Sequence, residues 1–519
     1  MRLEETIRKI QPLDAKVMEQ ARVRWDSIAK PLNSLGMLED VVTQMTGIVG
    51  STDVDINRKV LVEMCADNGI VEAGVSQSGQ EVTALVAENF LEGNSVACVM
   101  CRQCHADVVP IDIGMAVDTK VPRYKVAYGT RNFVKEPAMT RQQAIQGIEV
   151  GIQVAGELAD QGYGLIATGE MGIGNTTTSS AVASVLLGAP VEEMTGRGAG
   201  LSSEGLRRKI DAIKTGIELH RPNPEDPVDV LAKVGGLDIA GMVGLFLGGA
   251  LRHIPVLMDG FISCVAALIA IRLCPNADGY ILASHLSKEP AARRLLDAMG
   301  KEAMIQAQMR MGEGTGAVAA FSLLDQAVTV YRTMSTFDDI NLEQNTMMTL
   351  ITGGSGSGKS AFAENCVQAQ GEARRIYIAT MFPYDKESYG RIDRHRTMRA
   401  GKGFETVEWY LGLRELTVPE GSQVLLECMS NLTANEMFLE NGAGDRTVEE
   451  ICEGVESLRT QASYLCIVTN EIFSEAAAYE GETRKYQKYL GEINCRLAKM
   501  ADQVAEVVYG IPIWIKGRD

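Results

Sequence analysis

Short apolar runs alternate with amphipathic stretches of helical period along the whole chain. In the first part, the runs at 59–65, 108–113, 164–168, 254–258 and 280–284 predict strands, and residues 147–219 and 286–333 otherwise read largely as helices. Several of these strands end in Gly, Asp or Glu, at the carboxyl ends where ligands of parallel sheets collect. Near 337–341 the helical pattern stops, and Met347-Met348 opens a fresh strand, followed by others at 375–379, 423–427 and 464–469 and a last one near 505–515. This alternation predicts α/β folds with mainly parallel sheets, joined with almost no linker, as a domain of residues 1–345 and a domain of residues 346–519.

Length and charge narrow the picture. A chain of 519 residues exceeds what one core organises, since domains usually run to ~100–200 residues. A formal charge of −17 excludes a general nucleic-acid or membrane surface. Any phosphate ligand must therefore be held locally. The N-terminal MRLEETIRKIQPLDAKVMEQ lacks the apolar core of a signal peptide. The most apolar stretch, 254–271, contains Asp259 and follows Arg252-His253, which predicts a buried strand and helix and no membrane span. Eleven cysteines without an export signal read as reduced thiols in a cytoplasm. Cys98, Cys101, Cys104 and His105 form CxxCxxC and CxxCH runs, open to a metal or haem reading. The segment also continues an apolar helical pattern from Phe90 through Val99, and a core helix is the preferred expectation.

In the second part, TLITGGSGSGKS at 349–360 has strand, glycine loop and helix in the order a phosphate loop requires. Glycines let backbone N–H groups converge on phosphate, Lys359 reaches the outer phosphates and Ser360 can hold Mg²⁺. Glu427 ends the apolar strand QVLLE and suits the metal or its bound water. Arg391, Arg394, Arg396 and Arg399 surround His395 in the most basic run of an acidic chain. Composition leaves two readings of that run: a solvated basic face, or a phosphate clamp whose imidazole attacks an α-phosphate.

From 347 onward, GGSGSGKS, IYIAT at 376–380, RIDRH at 391–395, LLEC at 425–428 and VTNE at 468–471 stand in the order and spacing of adenosylcobinamide kinase / adenosylcobinamide-phosphate guanylyltransferase, which this part resembles. The resemblance implies a P-loop NTPase-like domain that phosphorylates the aminopropanol arm of adenosylcobinamide and then transfers GMP from GTP through a histidine, matched by His395. It implies nucleotide contacts, with GTP or ATP, from Gly353, Gly354, Ser355, Gly356, Ser357, Gly358, Lys359, Ser360, Thr380, Arg396, Arg399, Glu408 and Glu427, with Mg²⁺ held by Ser360 and Glu427. After VTNE the chain reads IFSEAAAYEGE where that family usually has a Gly-rich stretch ending in Pro.

In the first part the densest signal is ATGEMGIGNTTTSS at 167–180, a strand running into glycines and then into a helix crowded with hydroxyls. Backbone donors, hydroxyls and the helix dipole make an anion site suited to a phosphate monoester, without the spacing of a triphosphate loop. Gly196-Arg197-Gly198-Ala199-Gly200 supplies a second flexible loop, Lys209 follows on a helix, and Glu313 stands alone within GEGTG at 312–316. A turn explains that isolated acid as well as a ligand site does; shielded by a ligand, its carboxyl would shift from about 4.3 toward neutrality and could take a proton.

The blocks KPLNSLGMLED at 30–40, GVSQSGQEVTA at 74–84, GEMGIGNTTTSSA at 169–181, TGRGAGLSSEGLRRKI at 195–210, DPVDVLAKVGGLDIAG at 226–241, LMDGF at 257–261, SHLSKEP at 284–290 and RMGEGTGA at 310–317 resemble nicotinate-nucleotide:dimethylbenzimidazole phosphoribosyltransferase over about residues 1–340. The resemblance implies a Rossmann-like parallel-sheet domain with an added helical part and no cofactor. It would move phosphoribose from nicotinate mononucleotide to a benzimidazole-type base, with Glu313 as general base and Glu170 beside the developing sugar cation. It further implies phosphate contacts from Gly172, Gly174, Asn175, Gly198 and Lys209, and Gln80 on the base side. Asn68 stands where that family commonly has His, a difference expected to reshape the base pocket. Both products would be precursors of one later condensation in cobalamin assembly, made by a cytoplasmic homo-oligomer. The alternative is a regulatory NTPase whose first part senses a nucleotide monophosphate; it would need neither Glu313 nor His395.

Overall fold

The computed structural model describes residues 2–198, 200–340, 346–371, 373–383, 401–473 and 480–517. The chain divides into two compact units, Met1–Leu342 and Glu343–Asp519.

The first unit holds a five-stranded, wholly parallel sheet of β1 (Lys59–Ala66), β2 (Ala106–Gly114), β3 (Leu165–Met171), β4 (Val256–Met258) and β5 (Ile281–Ala283) in the order β2-β1-β3-β4-β5. β1 and β3 are buried along their full length, as strands covered on both faces must be. The order reverses direction between β1 and β3, so a crevice opens beyond their carboxyl ends. Helices Arg141–Asp160 and Leu237–Leu251 cross closely on one face. A Cβ at Gly151 would lie 2.0 Å from the Gly241 carbonyl oxygen, and one at Gly244 would lie 2.0 Å from that of Ile148. Glycine is what allows that approach. Helices at Leu3–Lys9, Ala15–Ser27 and Met37–Val49, with others between the strands, supply the added helical part.

The apolar stretch at 254–271 resolves into β4 and the helix Phe261–Leu273. Among the described residues no helix is long and apolar enough to cross a membrane. Cys98, Cys101 and Cys104 are buried on or at the end of the helix Val96–Gln103, whose first turn is capped by the Ser95 hydroxyl accepting from the Cys98 N–H at 3.1 Å. The single helical pattern expected from Phe90 to Val99 is interrupted, because Gly93 turns left-handed (φ 74°) and ends the preceding helix. The helical expectation over 286–333 holds only for Ala292–Ala298 and Thr315–Thr333. Gly300, Gln308, Gly312, Glu313 and Gly314 all take positive φ between them, so the chain there cannot be helical.

The second unit is a seven-stranded sheet in the order β12-β11-β6-β10-β9-β7-β8, with β6 (Met347–Thr352), β7 (Arg375–Ala379), β8 (Phe404–Glu408), β9 (Ser422–Glu427), β10 (Ala462–Val468), β11 (Gln503–Val508) and β12 (Ile511–Lys516). All pairings are parallel except β11 with β12. The single last strand expected near 505–515 is this hairpin. Tyr509 (φ 52°) and Gly510 (φ 81°) form its two-residue loop, and left-handed residues at both positions let the loop match strand twist. β8 escapes the apolar pattern because FETVE lies at the sheet edge and is nowhere fully buried.

Candidate active sites

The switch point of the first sheet opens into a cavity of about 370 Å³ lined by residues that include Glu170, Asn175, Asp259, His285 and Glu313. Glu170, the last residue but one of β3, is buried, with its carboxylate accepting from the Asn175 amide. Glu313 comes from the loop before helix Thr315–Thr333, in the left-handed conformation (φ 53°) between Gly312 (φ 79°) and Gly314 (φ 61°). A Cβ at Gly312 would lie 2.9 Å from Glu170 Oε1, so glycine lets the two acids meet in one cavity. Glu313 Oε2 is buried with no hydrogen-bond partner.

Electrostatics follow from burial. The Glu313 carboxyl is pushed above its usual range by burial alone. Burial pushes Glu170 well above its range, reinforced by Asp238, Asp259 and Glu313 and opposed by the Asn175 amide. Asp238, fully buried beside them, is pushed up to about 7 by burial, against hydrogen bonds from the Ile239 N–H, Asn68 and Asn175. Acids this close and withdrawn from water disfavour one another's ionisation.

Three contributors escaped the sequence reading. Asp259, just past the end of β4, accepts from the N–H groups of Gly316 (2.8 Å) and Ala317 (3.0 Å), and so fastens the loop that carries Glu313 to the sheet. His285 lies 3.7 Å from the same Asp259 oxygen, and its ring sits where a Cβ of Gly316 would be, 1.8 Å from Nδ1. Glu63 lies fully buried beneath Gly169 with neither carboxyl oxygen hydrogen-bonded, and burial pushes its carboxyl well above the usual range, with Glu170 and Glu313 adding to the shift. An acid inside the apolar run LVEMC, and Asp or His just past a strand, were the available signals.

A smaller adjoining space of about 90 Å³ is lined by Gly172, Gly174, Asn175, Thr176, Gly198 and Lys209, among others. Gly174 (φ 94°) starts the helix Asn175–Leu187, where the Asn175 N–H donates to the Gly172 carbonyl at 3.0 Å and the Thr177 N–H to that of Gly174 at 2.9 Å. Lys209, 1% exposed, donates to Thr176 Oγ1 at 2.8 Å and to the Gly196 carbonyl at 3.2 Å. Burial pulls its ammonium down to about 8, opposed by Glu289. These five expected phosphate contacts therefore come together. Gln80 does not line either space: it precedes the helix Glu81–Glu92, between the lining residues Ser78 and Val82. Asn68 lines neither space. It is fully buried behind Gly172 and Gly174 and donates to Asp238 at 3.5 Å, so its effect on the base pocket is at most indirect.

In the second unit, residues 353–358 join β6 to the helix Lys359–Gln368. Gly353, Gly356 and Gly358 adopt φ of 155°, 72° and 91°, and open space lies over Gly354 and Gly356. Ser355 is exposed, and the Ser357 hydroxyl is buried without a partner. Lys359 folds back to donate to the Gly354 carbonyl at 2.9 Å. Burial lowers its pKa, and Cys428 and Glu427 oppose this. Glu427 ends β9, accepting from the Ser360 hydroxyl and from Tyr377 OH at 2.9 Å. A hydroxyl and a carboxylate converging beside open phosphate-loop amides fit Mg²⁺, which takes few protein oxygens and completes its shell with phosphate and water.

Thr380 is fully buried, its hydroxyl bonded to both the carbonyl and the N–H of Cys428 at 2.8 Å. That hydroxyl orders the chain beyond Glu427 and does not face open space. Glu408 ends β8 and, through Ala379, shares a row with Glu427 two strands away, where it accepts from Tyr410 OH at 2.9 Å. His395, Arg396 and Arg399 lie outside the described residues.

Residues 10–342 match the family model described as phosphoribosyltransferase, and residues 349–515 match that of cobinamide kinase / cobinamide phosphate guanyltransferase. Nicotinate-nucleotide–dimethylbenzimidazole phosphoribosyltransferase of Ruminiclostridium cellulolyticum is 48% identical over 347 residues, 66% of this chain and 99% of its own. The enzyme of that name from Clostridium acetobutylicum is 48% identical over 346 residues, 66% of this chain and 98% of its own. The crystal structure of the enzyme from Thermus thermophilus superposes with a TM-score of 0.60 at 35% identity, covering 64% of this chain and 99% of that one.

Proposed function

The chain belongs to the nicotinate-nucleotide–dimethylbenzimidazole phosphoribosyltransferase family through residues 10–342 and carries a cobinamide kinase / cobinamide phosphate guanyltransferase domain at 349–515, and from that premise we propose the chemistry of each site. The division of labour proposed is phosphoribosyl transfer by residues 1–345 and kinase and guanylyl transfer by 346–519.

In the first site the substrate is nicotinate mononucleotide. Its phosphate occupies the space between the start of helix Asn175–Leu187 and the Lys209 ammonium. Its pyridinium charge enters the carboxyl-rich cavity and favours ionisation of Glu170 and Glu313 there. The C1′–N bond breaks with its electron pair leaving on the nicotinate nitrogen, so the leaving group needs no proton. Glu170 stabilises the positive charge that grows on the sugar. One benzimidazole nitrogen attacks C1′ from the opposite face, and Glu313 takes the proton from the other nitrogen. The products are α-ribazole 5′-phosphate and nicotinate. The single observation that supports this reading is the meeting of Glu313 and Glu170, from segments far apart in sequence, in one cavity beside a buried lysine phosphate site.

In the second site, GTP or ATP lies on residues 353–360, with Mg²⁺ held by Ser360 and Glu427. When bound, the ion neutralises phosphate charge. Lys359 turns from the Gly354 carbonyl to the outer phosphates. His395 is proposed to attack the α-phosphate of GTP, releasing pyrophosphate, and then to pass the GMP to the phosphate of adenosylcobinamide phosphate, with Arg396 and Arg399 as phosphate contacts. A cytoplasmic setting and a homo-oligomeric assembly complete the reading; none of the eleven cysteines is in a disulfide.

Mass spectrometry of the products formed from nicotinate mononucleotide and a mixture of benzimidazoles tests the first reaction; absence of any α-nucleotide product overturns it. For the second, α-labelled GTP should give an acid-labile, base-stable protein adduct that His395→Ala loses. Label retained in that variant would mean another nucleophile.

A further inference from the structure

We propose that Tyr509 is the stacking platform for the purine base of the nucleotide held by residues 353–360, an inference that rests on reading that loop as a nucleotide site. The β11–β12 turn is built onto the loop. The Gly510 N–H donates to the Ser357 carbonyl at 2.8 Å, a Cβ at Gly358 would lie 3.2 Å from Gly510 Cα, and one at Gly353 would lie 2.6 Å from the Val507 carbonyl. The hairpin is also pinned from its other strand, where the Trp514 ring packs edge-on against Phe362, three residues into the helix after the loop, with centroids 6.0 Å apart. A turn held at both points does not drift relative to the phosphate-binding amides.

On this anchored turn the exposed residue is an aromatic. Tyr509 is 95% exposed and left-handed (φ 52°), at a turn position where Asn, Asp or Gly is favoured and a bulky side chain gains nothing for folding. The next residue, Ile511 beyond Gly510, is 65% exposed, so an apolar surface borders the loop. Open space lies over Gly354 and Gly356, so nothing in the chain covers the loop at those positions. The turn that carries Tyr509 is bonded to the loop at Ser357, and the exposed ring offers a π-face that any purine can use.

The test is calorimetric binding to the full chain of GTP, ATP and inorganic tripolyphosphate, which has phosphates and no base. Tyr509→Asn keeps a residue suited to the left-handed turn and removes the ring; Tyr509→Phe keeps the ring. Expected is about tenfold weaker binding of both GTP and ATP by Tyr509→Asn, unchanged tripolyphosphate binding, and near-normal affinities for Tyr509→Phe. Unchanged GTP affinity in Tyr509→Asn overturns the proposal, as does an equal loss for tripolyphosphate, which would make the turn a support of the loop only. If the unaltered protein binds neither GTP nor tripolyphosphate, the nucleotide reading of the loop itself fails, and the proposal with it.

Discussion

Lys209 and Lys359 each stand at a proposed phosphate site at the start of a helix, yet the chain delivers them in opposite ways. Lys359 is the residue after the last glycine of its loop, so strand, loop, lysine and helix form one continuous run. Lys209 reaches the start of helix Asn175–Leu187 from a separate helix, Ser203–His220, and is held by Thr176 and the Gly196 carbonyl. In both, burial lowers the ammonium pKa, to about 8 for Lys209. A contiguous loop carries most of its donors in its own backbone and tolerates solvent, as the exposed Ser355 and Gly356 show. A site assembled from distant segments must be buried to be held in place, and its side chains then acquire shifted pKa values that its chemistry can use.

The comparison breaks most sharply at Glu313. Glu313→Gln should lower nicotinate release about a thousandfold, because the amide cannot accept the benzimidazole proton, while guanylyl transfer by the second unit is unchanged. The unaltered enzyme should gain rate as pH rises through a value above the ordinary carboxylate range. Burial favours the protonated Glu313, and only the carboxylate is a base. Both are read from the pH profile of nicotinate formation. Conversely, Lys359→Ala should cost about a hundredfold in guanylyl transfer, measured with labelled GTP, and leave nicotinate release intact.

Lys209→Met should raise KM for nicotinate mononucleotide about tenfold, with a smaller change in kcat, since the phosphate does not take part in the chemistry. In the unaltered protein that KM should climb as pH passes about 8, where the depressed lysine loses its charge. The smallest effect is expected from Glu63→Gln. Burial raises the Glu63 pKa in the folded state above its ordinary value of 4.5. Folding then favours the neutral acid, and this contribution is lost as pH rises through the folded pKa. The neutral amide should raise the melting temperature of the first unit at neutral pH, with the gain shrinking toward pH 4.5 in a calorimetric scan.

Much of this was legible along the chain. The alternation of apolar runs and helices predicted both parallel sheets, and the glycine-rich phosphate loop, Glu427 and the hydroxyl-rich helix start fell where expected. Edge and turn features were not. FETVE at β8 carries little apolar signal, because an edge strand has less to bury, and Tyr509-Gly510 hid a hairpin inside one apolar run. Asp259, His285 and Glu63 looked like isolated polar residues, since nothing local shows that Asp259 accepts from the N–H groups of Gly316 and Ala317, 57 and 58 residues away. Gln80 and Thr380 stand within resembling blocks, yet Gln80 lines neither space and the Thr380 hydroxyl is spent on Cys428.

What the sequence determined by itself was whatever a short run of residues can encode. Backbone conformation, helix starts and the spacing of a phosphate loop depend on near neighbours. What only the tertiary structure decided was the company kept by buried charge: which acids share the cavity with Glu313, and how far Lys209 is withdrawn from water. Those properties depend on distance and dielectric between segments that the fold alone brings into contact.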